Sequence, residues 1–215
     1  SFQYEARYFK LGSIDSATQS VWFVLHGYGQ LAKYFLKKFS VLESSNTCII
    51  APEGLSRFYL EDVATRTQSG NQRVGATWMT RENREAEINN YIRYLNTVFD
   101  SEIPEGFTWK INLLGFSQGA ATVTRWAMAE KIRFDRLLLW GGIFPPDMNF
   151  ERGAELLKNK QVIEIVGRND PFVPGGEARA VEPSDERVGA VDERHQADRD
   201  GHRRTVGRLD RAALG

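Results

Sequence analysis

Apolar positions along the chain fall into two alternating kinds of run. Val21-Trp22-Phe23-Val24-Leu25, Thr47 to Ala51, Trp109 to Leu114, Leu137 to Trp140 and Val162 to Val166 are short and rich in β-branched and aromatic residues. They are apolar nearly throughout, so each predicts a strand covered on both faces, as in a parallel sheet. Residues 1–11 instead alternate in character like a strand with one wet face. Between these runs the period changes. Ile88, Tyr91, Ile92, Leu95, Val98 and Phe99 recur at i, i+3, i+4, i+7, i+10 and i+11, one stripe of a helix. Leu31, Tyr34, Phe35, Phe39 and Leu42 repeat the pattern, and Gln118 to Lys131 holds good helix formers without proline. Strand and helix alternate, which predicts an α/β fold in three layers: a mostly parallel central sheet flanked by helices on both faces.

The pattern changes near the end. No aromatic residue follows Phe172 and no lysine follows Lys160, while arginine and acidic residues crowd positions 175–215. Such a stretch buries little and reads as irregular, and the swap of lysine for arginine suggests a segment of different origin. Its one periodic feature is Val206, Leu209 and Ala213, which predicts a short helix over 203–214. The whole chain of 215 residues is then read as one domain with an atypical segment at 175–215. That length buries a core without disulfides or metals.

Charge and cysteine narrow the classes. Lys plus Arg and Asp plus Glu stand at 28 each, so no broad field draws the protein to nucleic acid or an anionic membrane. The longest apolar runs fall far short of the roughly 20 residues of a membrane-spanning helix. The first residues lack a signal-peptide pattern, so the cytoplasm is the expected location, and the absence of Met at position 1 fits a processed or trimmed start. The single cysteine, Cys48, lies in an apolar run and reads as a buried strand residue, not a catalytic one. Neither a cofactor nor a metal is implied; a small-molecule ester is the expected partner, with monomer and homodimer both open.

One constellation carries chemistry. Gly115-Phe116-Ser117-Gln118-Gly119 ends a predicted strand and opens a predicted helix, the setting of a nucleophile elbow. Such a turn lifts the serine hydroxyl out at the carboxyl end of the sheet, beside a helix N-terminus that favours developing negative charge. His26-Gly27-Tyr28-Gly29 follows an earlier strand, and its glycines let a loop fold back toward the serine. The N–H groups of Tyr28 and Gln118 are the candidate oxyanion hole. His26 precedes the serine in the chain and is better read as fixing its loop than as a base. Asp170, after the strand at Val162 to Val166, is the candidate acid that would hold an imidazole in its working tautomer. Only His195 and His202 lie beyond it; His202 follows a glycine, stands 32 residues after Asp170, and is preferred as base.

These three segments, with Asp170-Pro171-Phe172-Val173-Pro174 as the third, resemble the phospholipase/carboxylesterase family, which includes acyl-protein thioesterases and small bacterial carboxylesterases. The likeness runs over about residues 18–174, and Gly75-Ala76-Thr77-Trp78 resembles the family's segment before its substrate-side helix. The resemblance implies an α/β-hydrolase with Ser117, Asp170 and a histidine in a Gly-His context, which is Gly201-His202 here. The aromatic strand that precedes that histidine in the family has no counterpart.

About twenty residues join the strand ending at Trp140 to the one starting near Gln161, too few for a large cap domain. The expected site is open, with Trp78, Met79 and Phe144 as candidate substrate-binding residues and Tyr59 and Trp140 beside them, though each also suits a core. The expected activity is hydrolysis of short- to medium-chain carboxylic esters through an acyl-enzyme on Ser117. Two alternatives are an acyl-thioesterase or lysophospholipase using the same residues, and a binding protein of this fold with impaired catalysis.

Overall fold

A computed structural model describes residues 4–70 and 72–167. Six strands form one sheet in the order β1-β3-β2-β6-β7-β8. They are β1 (Tyr8–Leu11), β2 (Ser20–Leu25), β3 (Thr47–Pro52), β6 (Lys110–Phe116), β7 (Arg136–Trp140) and β8 (Gln161–Ile165). Only β1, at the edge, runs antiparallel to its neighbour. A separate antiparallel pair, β4 (Ser56–Tyr59) and β5 (Val74–Thr77), encloses α2 (Val63–Ser69). The remaining helices are α1 (Ala32–Leu36), α3 (Arg84–Glu102), α4 (Gln118–Met128) and α5 (Phe150–Leu157).

The sheet divides the core in two, which is why its strands are apolar at successive positions. Val21, Phe23, Leu25, Ile111, Leu113, Leu137 and Leu139 face α3 and α4, where Tyr91, Leu95, Phe99, Val123 and Trp126 meet them. Trp22, Val24, Ile49, Ala51, Leu114 and Leu138 face the other side, against Ala32, Phe35, Leu36 and Phe39. Burial on both faces removes the alternation that a one-faced sheet would show. Of the α3 stripe, Ile88, Tyr91, Leu95, Val98 and Phe99 are buried.

Two sequence expectations change. The stripe from Leu31 to Leu42 does not make one α-helix: α1 ends at Leu36 and continues as a tight 3₁₀ segment, Lys37–Leu42. Tyr34 leaves the stripe and is 62% exposed, because Phe35, Leu36 and Phe39 fill the space under the sheet. Of the half-wet strand expected over residues 1–11, the described residues 4–11 form strand at Tyr8–Leu11. Cys48 is buried in β3, and burial raises its thiol pKa, as suits an inert core residue. Among the described residues, no helix is long and apolar enough to cross a membrane.

Candidate active site

The site begins where β6 passes into α4. Ser117 lies between them with φ 53° and ψ −117°, outside the regions open to ordinary L-residues. Backbone strain of this kind costs on the order of 1–3 kcal/mol and persists only where its surroundings fix it. Here they do. The Ser117 N–H donates to the carbonyl of Trp140 at 2.9 Å, across to the end of β7. A Cβ on Gly115 would sit 2.2 Å from the Gly119 oxygen, and one on Gly119 would sit 2.3 Å from the Leu25 oxygen. Strand, turn and helix therefore pass at backbone contact distance. Ser117 itself is exposed at the carboxyl end of the sheet, and among the described residues the N–H of Gln118, in the first turn of α4, meets no acceptor.

The loop after β2 lies beside it. A Cβ on Gly27 would come 3.2 Å from Ser117 Cβ and 2.9 Å from the Phe116 ring, so the loop touches the elbow only because residue 27 has no side chain. The Gly27 N–H donates to Gln30 Oε1 at 2.9 Å. The Gly29 N–H donates to Ala76 O at 2.9 Å, and the Ala76 N–H returns to Gln30 O at 3.1 Å, stitching the loop to β5. Among the described residues, the Tyr28 N–H meets no acceptor.

His26 is fully buried under this loop. Its Nε2 accepts from the Gly54 N–H at 2.9 Å and its Nδ1 lies 2.8 Å from Gly27 O. A backbone N–H only donates and a carbonyl only accepts, so the ring is neutral with its proton on Nδ1. Burial depresses its pKa, against smaller opposing effects of the Gly27 bond and the Glu53 charge. With both nitrogens engaged, His26 has no lone pair to offer Ser117, in agreement with a loop-fixing role.

Segment 77–79 closes the other side. Gln118 Oε1 accepts from the Trp78 N–H at 3.1 Å and lies 3.0 Å from the Thr77 hydroxyl, while its Nε2 donates to Met79 O at 2.9 Å. The residue after the serine thus presents its backbone to the site and spends its side chain on the wall. Arg125 of α4 grips Asp147 with Nε and Nη2 at 3.0 and 2.6 Å, and Arg84 Nη2 joins at 2.9 Å. Those bonds hold the Asp147 carboxyl far below the usual carboxylate range and tie the connection after β7 to α3 and α4.

A family model described as Phospholipase/Carboxylesterase matches residues 8–213. The chain belongs to this family. Solved structures agree in fold at low identity. Acyl-protein thioesterase 2 of Zea mays is 15% identical over 79% of each chain, with a TM-score of 0.55. Esterase PE8 is 19% identical over 80% of this chain and 79% of its own, at 0.54. A phospholipase/carboxylesterase of Dyadobacter fermentans is 14% identical over 81% of this chain and 93% of its own, at 0.52. No curated protein matches. Family and fold make the protein an α/β-hydrolase of the phospholipase/carboxylesterase family.

Within this family member the structure brings Ser117, Gln118, the His26–Gly29 loop and Met79 together. Met79 is half-buried with its carbonyl on Gln118. Trp78 departs from the expectation of a substrate wall: it is 2% exposed, its indole N–H donates to His26 O at 2.8 Å, and its ring lies between His26 and Tyr91. It holds the loop from below. Phe144 is half-buried and packs on the core beside α3 and α4. Trp140 meets Phe116 edge to face, and the Arg66 guanidinium lies 3.9 Å over the half-exposed Tyr59 ring. Asp170, His195 and His202 lie outside the described residues, as does the helix expected over 203–214. Sequence reasoning missed the side chains of Gln118 and Gln30 and the buried Glu53. An amide after a nucleophile carries no signal that it will cap a segment forty residues earlier.

Proposed function

We propose that the protein is a serine carboxylesterase acting on short- to medium-chain carboxylic esters, with Ser117 as nucleophile. The observation that carries this reading is the backbone of Ser117. A strained, exposed serine sits at a helix N-terminus, with the His26–Gly29 loop in contact. Strain held by so many backbone contacts supports a task for the hydroxyl.

In this mechanism Ser117 Oγ attacks the ester carbonyl while its proton passes to His202 as general base. The tetrahedral oxyanion lies against the N–H groups of Tyr28 and Gln118. Collapse expels the alcohol, which takes the proton from the imidazolium, and leaves the acyl group on Ser117. Water, deprotonated by the same histidine, attacks the acyl-enzyme and releases the acid. Asp170 holds the histidine and balances its charge. The roles of Asp170 and His202 rest on chain order and family resemblance.

Fluorophosphonate labelling followed by peptide mapping tests the nucleophile, with label expected on Ser117 and lost in Ser117→Ala. Turnover of a short p-nitrophenyl ester compared with an acyl-thioester and a lysophospholipid then fixes the substrate class. Faster thioester or lysophospholipid cleavage moves the assignment to those activities. An unlabelled Ser117 leaves a binding protein of this fold.

A further inference from the structure

His26 makes a contact whose consequence reaches the reaction centre. Gly27 O and the Tyr28 N–H belong to one peptide unit. Among the described residues no peptide bond is cis, so that unit is trans and planar, and its C=O and N–H point in opposite directions. The His26 ring holds Gly27 O at 2.8 Å from the buried side, so the Tyr28 N–H points away from that ring, and Ser117 lies within contact distance of Gly27 at the start of the same peptide unit. The ring cannot drift. Gly54 N–H fixes Nε2 at 2.9 Å, the Trp78 ring packs against it at a 31° tilt with centroids 5.1 Å apart, and Trp78 Nε1 also holds the His26 carbonyl at 2.8 Å. Gly27 O also accepts the Gln30 N–H at 3.2 Å; released from Nδ1, the peptide keeps this one longer bond and is freer to turn about Gly27 Cα–C and Tyr28 N–Cα, where a glycine offers least resistance.

We propose that His26 is a positioning residue for the oxyanion hole: its Nδ1–H pins the Gly27–Tyr28 peptide so that the Tyr28 N–H faces the oxygen of the reacting ester. This rests on the hydrolase reading above, because a fixed N–H matters only if charge develops in front of it. The contribution is preorganisation, a donor already aimed before the reaction begins.

Two substitutions separate the two ring nitrogens. His26→Gln keeps an acceptor where Nε2 meets Gly54 but lacks the Nδ1–H. His26→Asn keeps a donor near Nδ1 and gives up the Gly54 contact. In His26→Gln, kcat should fall about 100-fold, the scale of losing one oxyanion donor, with KM moved by less than about threefold. His26→Asn should recover at least about tenfold of that loss whatever its melting temperature. Imidazole ¹⁵N shifts of the wild type at neutral pH should report the Nδ1–H tautomer.

An Nε2–H tautomer, a wild-type kcat in His26→Gln, or equal losses in both variants that follow their melting temperatures would each overturn the proposal. Failure of the hydrolase reading looks different: wild-type turnover would be absent or unchanged by Ser117→Ala. The tautomer would still report whether His26 fixes the peptide.

Discussion

The elbow that carries Ser117 and the β4–β5 pair beside it are built in different ways. The elbow is closed by backbone against backbone: Gly115 on Gly119, Gly119 on Leu25, Ser117 N–H on Trp140 O. None of its fastenings titrates. The β4–β5 side exposes Tyr59, Leu60 and Val63; backbone bonds join Ala76 to Gly29 and Gln30, and individual side chains supply further fastenings: the Gln118 amide, the Trp78 indole, the His26 ring and the Glu53 carboxylate. An arrangement fixed by excluded volume has one solution. An arrangement that also relies on directed side-chain bonds can be loosened one bond at a time, or by pH. The difference teaches that the nucleophile is set by backbone contact alone, while the wall beside it also depends on side chains that substitution or pH can remove.

The largest effect should come from Ser117→Ala. Turnover of a p-nitrophenyl ester should fall by about 10⁶, the scale of removing a triad serine, with the melting temperature nearly unchanged because an exposed hydroxyl packs little. Retained turnover would move the nucleophile elsewhere. Asp170→Asn should cost about 10⁴ in kcat, as when an imidazole is left in the wrong tautomer. Normal kinetics in that variant would reassign the acid.

The comparison is tested most directly by stability. Gly119→Ala puts a methyl 2.3 Å from Leu25 O and 2.7 Å from His26 O, backbone atoms that cannot swing aside. Denaturant titration should show a loss of about 3 kcal/mol or failure to fold. Near-native stability would mean the elbow has slack. Gln118→Ala works on the other side of the same turn. It deletes the bonds to Trp78 N–H and Met79 O, so kcat/KM should drop about 10- to 100-fold, equivalent to about 1.4–2.7 kcal/mol, with a smaller change in melting temperature. An unchanged kcat/KM would show that segment 77–79 does not depend on this amide.

How much of this was legible follows the same division. Features written as local pattern could be read: five strands from two-faced apolar runs, α3 from its stripe, and the elbow from glycines flanking a serine between strand and helix. Glycine spacing is legible because its cause, close passage of backbones, acts over a few residues. The β4–β5 pair was not legible. Ser56–Tyr59 and Val74–Thr77 are four residues each, too short for a period, and pair across 15 to 21 positions. Trp78 misled because a tryptophan beside a motif suits a substrate wall as well as a floor, and only the hydrogen bond to His26 decides between them. The 3₁₀ continuation of α1 escaped because the apolar spacing from Leu31 to Leu42 fits both helix types at that length.

The smallest effect concerns Glu53, and acid is the tool that reads it. Its carboxylate is buried, accepts Arg7 Nε at 2.7 Å, Arg57 Nε at 2.9 Å and the Ala32 N–H at 3.1 Å, and so joins β4 to the segment before β1 and to the start of α1. Burial alone would raise its pKa; the hydrogen bonds from the two arginines outweigh it, and the net shift is downward from the ordinary 4.5. A carboxylate with a lowered folded pKa stabilises fully above the unfolded value. That stability drains away as pH falls through the window between 4.5 and the lower folded value, where the unfolded chain binds the proton first. Glu53→Gln should therefore cost about 1 kcal/mol at neutral pH, modest because Arg7 is half-exposed and keeps its water. The difference from wild type should shrink as the buffer is taken below pH 4.5. Amide exchange should show where the bond acts: faster exchange at β4 and β5 in Glu53→Gln, with the Ser117 amide unchanged. A uniform increase across both sides, or a stability difference that widens in acid, would sink the idea that the two halves of the site are fastened independently.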